Sequence, residues 1–204
     1  MQQDFNYLTK KEKKQLRRNE REEVEKREKR NKMIRNCFIV SLLILLIGGS
    51  GWWVIKESNK PLPGVAVEDL GRQHIPRAEW EKYKYNSNPP TSGSHDAEWI
   101  KAGVYDSPQG DGYLIHSLEH GYVVISYNCE RVKSKACQDL KKELIDLAKN
   151  QKLSKLIVVP RPELDVPIAL TAWARILKMD KIDKESMRRF IDSYRDQGPE
   201  KTLE

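Results

Sequence analysis

"YVVISYNCERVKSKACQDLKKELIDLAKNQKLSKLIVVP", residues 122–160, carries in one stretch the two periodicities that decide the fold. It opens on Tyr122–Tyr127, a short β-branched and aromatic run that reads as a strand. Leu140, Leu144, Leu147 and Ala148 then recur at helical spacing and make one apolar stripe. It closes on "KLIVVP", a second apolar β-branched run, stopped by Pro160 and Pro162. Strand, helix, strand asks for a sheet with a helix laid across it.

Downstream, "RPELDVP" (161–167) reads as a connection that returns the chain antiparallel. In "IALTAWARIL" (168–177) the residues Ile168, Leu170, Ala172, Ala174 and Ile176 alternate with Thr171, Trp173 and Arg175. That alternation favours a strand, although the composition also suits a helix. The last element is a helix, with Asp183 as N-cap, Met187, Phe190, Ile191 and Tyr194 on one face, and Gly198-Pro199 as its stop. Upstream, 74–112 is turn-rich, with a short helix expected at "RAEWEKY" after Pro76. In "NSNPPTSGSH" (86–95) adjacent prolines and Gly93 exclude helix and leave a loop of fixed shape. The fold class is therefore α/β or α+β, a small mixed sheet covered by helices, in a globular domain spanning 74–200.

In front of that domain the chain changes character. Residues 36–55, "NCFIVSLLILLIGGSGWWVI", contain no charge, and 20 residues of helix rise about 30 Å, the thickness of a bilayer core. They read as a single transmembrane helix with Trp52 and Trp53 at one interface. Residues 1–35 hold 13 Lys/Arg against 7 Asp/Glu, so the basic tail is expected in the cytoplasm and the domain outside the cell membrane. A cleaved leader is the competing reading, since "IGGSG" offers small residues, but a 35-residue charged leader is far longer than a usual n-region. The tail's Leu8, Leu16 and Val24 make no core stripe, so it is a solvated helix or a disordered segment. Residues 56–73, with Pro61, Pro63, Gly64 and Gly71, read as a spacer.

Net charge is +7, but residues 56–204 hold 24 Lys/Arg against 23 Asp/Glu, so the basicity belongs to the tail. The tail suits anionic lipid at the cytoplasmic face, and it lacks the interleaved aromatics of a nucleic-acid binder. Cys129 and Cys137, eight apart in a polar segment, read as a disulfide of an oxidising compartment, and their spacing is not that of a two-cysteine metal knuckle.

The chain's four histidines, His74, His95, His116 and His120, all fall within 47 residues. Imidazoles outside the cytoplasm suit Zn or Cu. His116 and His120 share one face in a helix or in a strand, and His95 on the rigid loop is the natural third ligand. Asp96, Glu98 or Glu119 can add an oxygen, and His74 is a further candidate ligand. Spacing alone does not separate this set from histidines that cap turns or bond buried carbonyls. "HSLEH" (116–120) also fits H-x-x-E-H, in which two histidines bind zinc and the glutamate activates water. That motif belongs on a long helix, and Gly121 before a strand ends any helix at once. No G-x-S-x-G, P-loop or Rossmann glycine pattern is present, so nothing else points to an enzyme.

"EDLGRQHIP", "NPPTSGSH", "GVY", "HSLEHGYVVISY" and "ALTAWARILKMD" through "FIDSYRDQGPE" occur in this order, and over residues 65–200 they resemble the bacterial domain-of-unknown-function family 3105. The resemblance implies a domain behind one N-terminal membrane segment, brings no established reaction, and marks His74, Pro89, Pro90, Thr91, Ser92, Gly93, His95, His116, Leu118, Glu119, His120 and Gly121 as the motif positions. Ser94 stands where the family pattern carries proline before the loop histidine, which loosens that backbone. The expectation is a membrane-anchored extracytoplasmic domain binding one Cu or Zn ion through His95, His116 and His120, with Glu119 behind them. The alternatives are a metal-free envelope scaffold or partner-binding module, and a zinc hydrolase using the H-x-x-E-H motif.

Overall fold

A computed structural model describes residues 9–58, 61–132 and 134–202, in two compact units, Met1–Lys60 and Pro61–Glu204. Leu8 of the tail and residues 59–60 of the spacer lie outside the described residues.

Over its described residues the first unit forms one helix, α1 (Lys10–Ser58), 49 residues long. A capping box starts it: Thr9 N–H donates to Glu12 Oε2 at 2.7 Å and Glu12 N–H donates to Thr9 Oγ1 at 3.4 Å. No proline interrupts it, and its charged half is made of strong helix formers. The tail is thus helical over its described residues. Within α1 lies the stretch long and apolar enough to cross a membrane, a property that a signal sequence near an N-terminus shares. Lys56 Nζ sits 5.1 Å from the Trp52 ring, a cation–π pair at the end of the apolar run.

The second unit runs β1 (Val65–Ala66), α2 (Arg77–Trp80), β2 (Gly103–Val104), α3 (Asp111–Glu119), β3 (Val123–Tyr127), a 3₁₀ turn at Cys129–Arg131, α4 (Ser134–Asn150), β4 (Leu156–Pro160), β5 (Ile168–Ala172), β6 (Arg175–Met179) and α5 (Lys184–Tyr194). The strands form one mixed six-stranded sheet ordered β1-β6-β5-β3-β4-β2. β3 and β2 flank β4 in parallel, whereas β5 returns antiparallel against β3 and β6 antiparallel against β5. This is the α/β domain with a mixed sheet that the sequence implies.

Strand β3 is buried on both faces, and its alternate residues serve two cores. Val123, Ile125 and Tyr127 join Leu156, Val158, Ile168 and Leu170 under α4 and α5, where Leu144, Leu147, Met187, Phe190 and Ile191 fill the layer. Val124 joins Ile157, Val159 and Tyr122 on the other face, under Leu114 and Leu118 of α3. Each fully buried leucine or isoleucine contributes about 1.5–3 kcal/mol relative to exposure. The helix that carries His116 is therefore anchored on the central strand.

Two expectations change. The run 168–177 is strand, but it is the two strands of a hairpin rather than one: the chain turns at Trp173-Ala174, with Ala174 at φ 54°. The turn is set from outside, because Ala174 N–H donates to Thr91 O at 3.1 Å and Val67 N–H donates to Ala174 O at 3.0 Å. The stretch 56–73 is not a spacer throughout: 56–58 end α1, while Val65 and Ala66 pair with β6 and Trp173 Nε1 donates to Asp69 Oδ2 at 2.8 Å. Those contacts extend the folded unit back from His74 toward Pro61.

Cys129 and Cys137 are bonded, tying the 3₁₀ turn to the start of α4 across a Cα–Cα distance of 5.2 Å.

Candidate metal centre

Two loops and one helix end meet at the centre. Helix α3 approaches the short helix α2 closely because Gly112 has no side chain: a Cβ there would lie 2.5 Å from the Trp80 ring. Trp80 Nε1 in turn donates to Asp96 Oδ2 at 2.9 Å, fixing the residue next to His95. Burial pushes the Asp96 carboxyl up, but the Trp80 indole and backbone N–H groups outweigh it and hold it below the usual carboxylate range. The chain around His74 runs parallel to that around His95: His95 N–H donates to Gln73 O at 3.0 Å and Ile75 N–H to His95 O at 2.8 Å. Gly93 N–H also donates to Gly71 O at 2.9 Å, so the backbone beside Ser94 is pinned.

All four histidines converge. His74 stacks on His116 with ring centroids 4.7 Å apart, His95 meets His116 edge-on at 5.2 Å, and His116 meets His120 edge-on at 4.6 Å. His95, His116 and His120 are buried, as is Glu119; His74 keeps 46% of its side chain exposed. Trp99 packs against His120 at 4.9 Å and screens that side from solvent.

Proton bookkeeping defines what each ring offers. His116 Nδ1 lies 2.8 Å from the Asp96 carbonyl, which only accepts, so Nδ1 carries the proton and Nε2 presents a lone pair. That Nε2 is 3.1 Å from His120 Nε2. Two nitrogens on one tetrahedral zinc stand roughly 3.3 Å apart given bonds of about 2.0–2.1 Å. An N–H···N hydrogen bond from His120 has the same length, so the pair holds either one proton or one cation.

His95 is held between acceptors, with Nδ1 2.7 Å from Gly93 O and Nε2 2.9 Å from Glu119 Oε2. A neutral imidazole has one N–H for these two partners. Burial lowers the His95 pKa, more than the Gly93 carbonyl and the Glu119 carboxylate raise it. A proton shared with Glu119, or a cation in its place, completes this pair as well. Glu119 also faces His74 Nε2 at 3.6 Å and Arg72 Nη1 at 3.5 Å.

The far wall is the C-terminal segment. Gly121 adopts φ 81°, and a Cβ on it would lie 2.8 Å from Asp196 Cα. Gly198 lies against Glu119, and Glu200 N–H donates to Glu119 O at 3.0 Å. Lys155 is buried, and its ammonium reaches His120 O at 3.0 Å, Asp196 Oδ1 at 2.9 Å and Thr202 O at 3.1 Å. These contacts seat 196–202 so that Glu200 Oε2 stands 3.6 Å from His120 Nε2.

Among the described residues, ligand atoms close enough to share an ion fall into two groups, His74/His95/His116 and His116/His120/Glu200. His95 and His120, expected in one set, belong to different groups joined by His116. His74 is fully part of the cluster. Asp96 contributes its carbonyl rather than its carboxylate, and its side chain also takes the Glu98 N–H, at 3.0 Å. Arg72 and Glu200 lie in stretches quoted for the resemblance, but nothing in their spacing marked them as candidates for the site, and it is the fold that brings them to Glu119 and His120.

No curated protein and no solved structure matches the chain. A family model does match, over residues 77–204, which takes in His95, His116, Glu119, His120 and Glu200 and begins just after His74. That family is described as a protein of unknown function, domain-of-unknown-function family 3105 (DUF3105), and this chain belongs to it.

Proposed function

We propose that the domain binds one transition-metal ion, copper or zinc, through its histidine cluster, with His116 at the centre, His95 and His120 on either side, and Glu119 orienting a ligand or bound water. The observation that carries this reading is His116: its Nδ1–H is committed to a backbone carbonyl, as metal-ligating histidines commonly are, and its Nε2 lone pair points at a second buried imidazole 3.1 Å away. The donor set of imidazoles with a carboxylate suits these borderline cations. Metal analysis of the full chain purified in detergent tests it. Stoichiometric zinc or copper is expected, with His116→Ala losing more than the roughly 100-fold in affinity that loss of an outer partner costs. A metal-free protein that refuses added Zn(II) and Cu(II) would sink it.

A metal-free envelope scaffold is the second reading, favoured by His95, whose two nitrogens already have partners within the protein. A co-purifying partner that survives His95→Ala and His116→Ala would support it. The hydrolase reading gains little, since Glu119 is engaged by His95 and lies beside Arg72 instead of facing open space. We further propose that residues 36–55 cross the cell membrane with the basic tail inside, near anionic lipid, and the histidine domain outside.

A further inference from the structure

The two ligand groups share one residue, and that residue has one atom to give. His74/His95/His116 and His116/His120/Glu200 both require His116. Its Nδ1 is occupied by the Asp96 carbonyl at 2.8 Å, so a single Nε2 lone pair serves both groups. One lone pair binds one ion at a time. The groups are therefore mutually exclusive as long as that hydrogen bond holds.

Their arrangement around His116 is also two-sided. His74 lies flat on the His116 ring, 17° from parallel, and His120 stands at 86° to it. Each side contains one buried histidine, His95 or His120, and one half-exposed ligand, His74 at 46% or Glu200 at 47%. The half-exposed ligands sit on different pieces of chain: His74 on the loop paired with 93–95, Glu200 on the segment clamped by Lys155. An ion that trades His74 and His95 for His120 and Glu200 keeps His116 throughout, so it need never be released between the two positions.

We propose that the cluster is a two-station site for a single borderline divalent cation, with three imidazoles at one station, two imidazoles and a carboxylate at the other, and His116 common to both. It rests on the metal-binding reading above and adds that the ion is held for passage between two solvent-facing ligands rather than for storage. No electron is transferred: the pair that the ion enters gives up its shared proton and the pair that it leaves takes one up, so the ligand exchange balances.

The test uses the full chain in detergent micelles and Cu(II) as the probe. Binding should saturate at one copper per chain, and the electron paramagnetic resonance spectrum should be the sum of two signals. One should carry nitrogen hyperfine structure from three imidazoles, the other from two. His74→Ala should leave only the two-imidazole signal, and Glu200→Gln combined with His120→Asn only the other. Each set should weaken apparent binding by about twofold when the stations are equally populated, because half of the binding-competent states remain. His116→Asn should abolish both signals, with far-UV circular dichroism unchanged. His74→Ala alters a half-exposed position, so that arm does not hinge on a buried variant folding, and the same circular dichroism control applies to the variants at His116 and His120. Two coppers per chain would overturn the shared-ligand argument. A single signal, or one unmoved by either half-exposed variant, would leave a metal site but remove the second station. No copper bound at all would instead remove the metal reading itself.

Discussion

Gly121 shows how a single residue sets the centre. At φ 81° and with no room for a Cβ against Asp196, it turns the chain from helix into strand directly after His120. Gly121→Ala is expected to cost about 1–3 kcal/mol in backbone strain, read as a lower urea midpoint, and to unseat 196–202. His95 supplies a pH dependence. Burial lowers its pKa in the folded state from the ordinary 6.5, so between the two values the unfolded chain binds more protons. Stability from His95 is full above pH about 6.5 and is lost as pH falls toward the lowered value. Urea melts of metal-free protein should show a lower midpoint at pH 5.5 than at 7.5, and His95→Gln should shrink the difference. At this scale the sequence was legible where chemistry was rare: four histidines in 47 residues stand out. Arg72 and Glu200 did not, because charged residues are common and only the folded chain brings these two to Glu119 and His120.

Among the elements, those whose signal is local were readable from sequence. The stripe Leu140, Leu144, Leu147 and Ala148 places α4 by itself, and Asp183 caps α5 by accepting from Glu185 N–H at 3.0 Å and Ser186 N–H at 3.2 Å. The hairpin turn at Trp173-Ala174 carries none of the usual turn residues, since Thr91 and Val67 hold it by backbone hydrogen bonds from distant loops. β1 and β2, two residues each, exist only through their partners β6 and β4. The Cys129–Cys137 bond braces the entry to α4 by closing a loop with a separation of eight residues. Replacing both cysteines by serine is expected to lower stability by about 2–3 kcal/mol on the chain-entropy account, measured by equilibrium urea unfolding. His116 is carried by α3, which packs on the opposite core, so the bond is not expected to alter the histidine cluster or its metal content.

For the whole molecule, charge asymmetry and the uncharged run set the expected topology. With the tail inside, protease added to intact cells or spheroplasts should release a fragment containing the disulfide and all four histidines, and leave the segment through α1 protected. Protection of the histidine domain instead would reverse the orientation. Because residues 196–202 form one wall of the centre, the segment that carries Glu200 is part of the proposed ligand set. Anything that unseats 196–202 from Lys155 and Glu119 would, on the proposed reading, change the coordination while every histidine stayed intact. A preparation weakened in that way would look like a protein with a poor natural affinity for the ion.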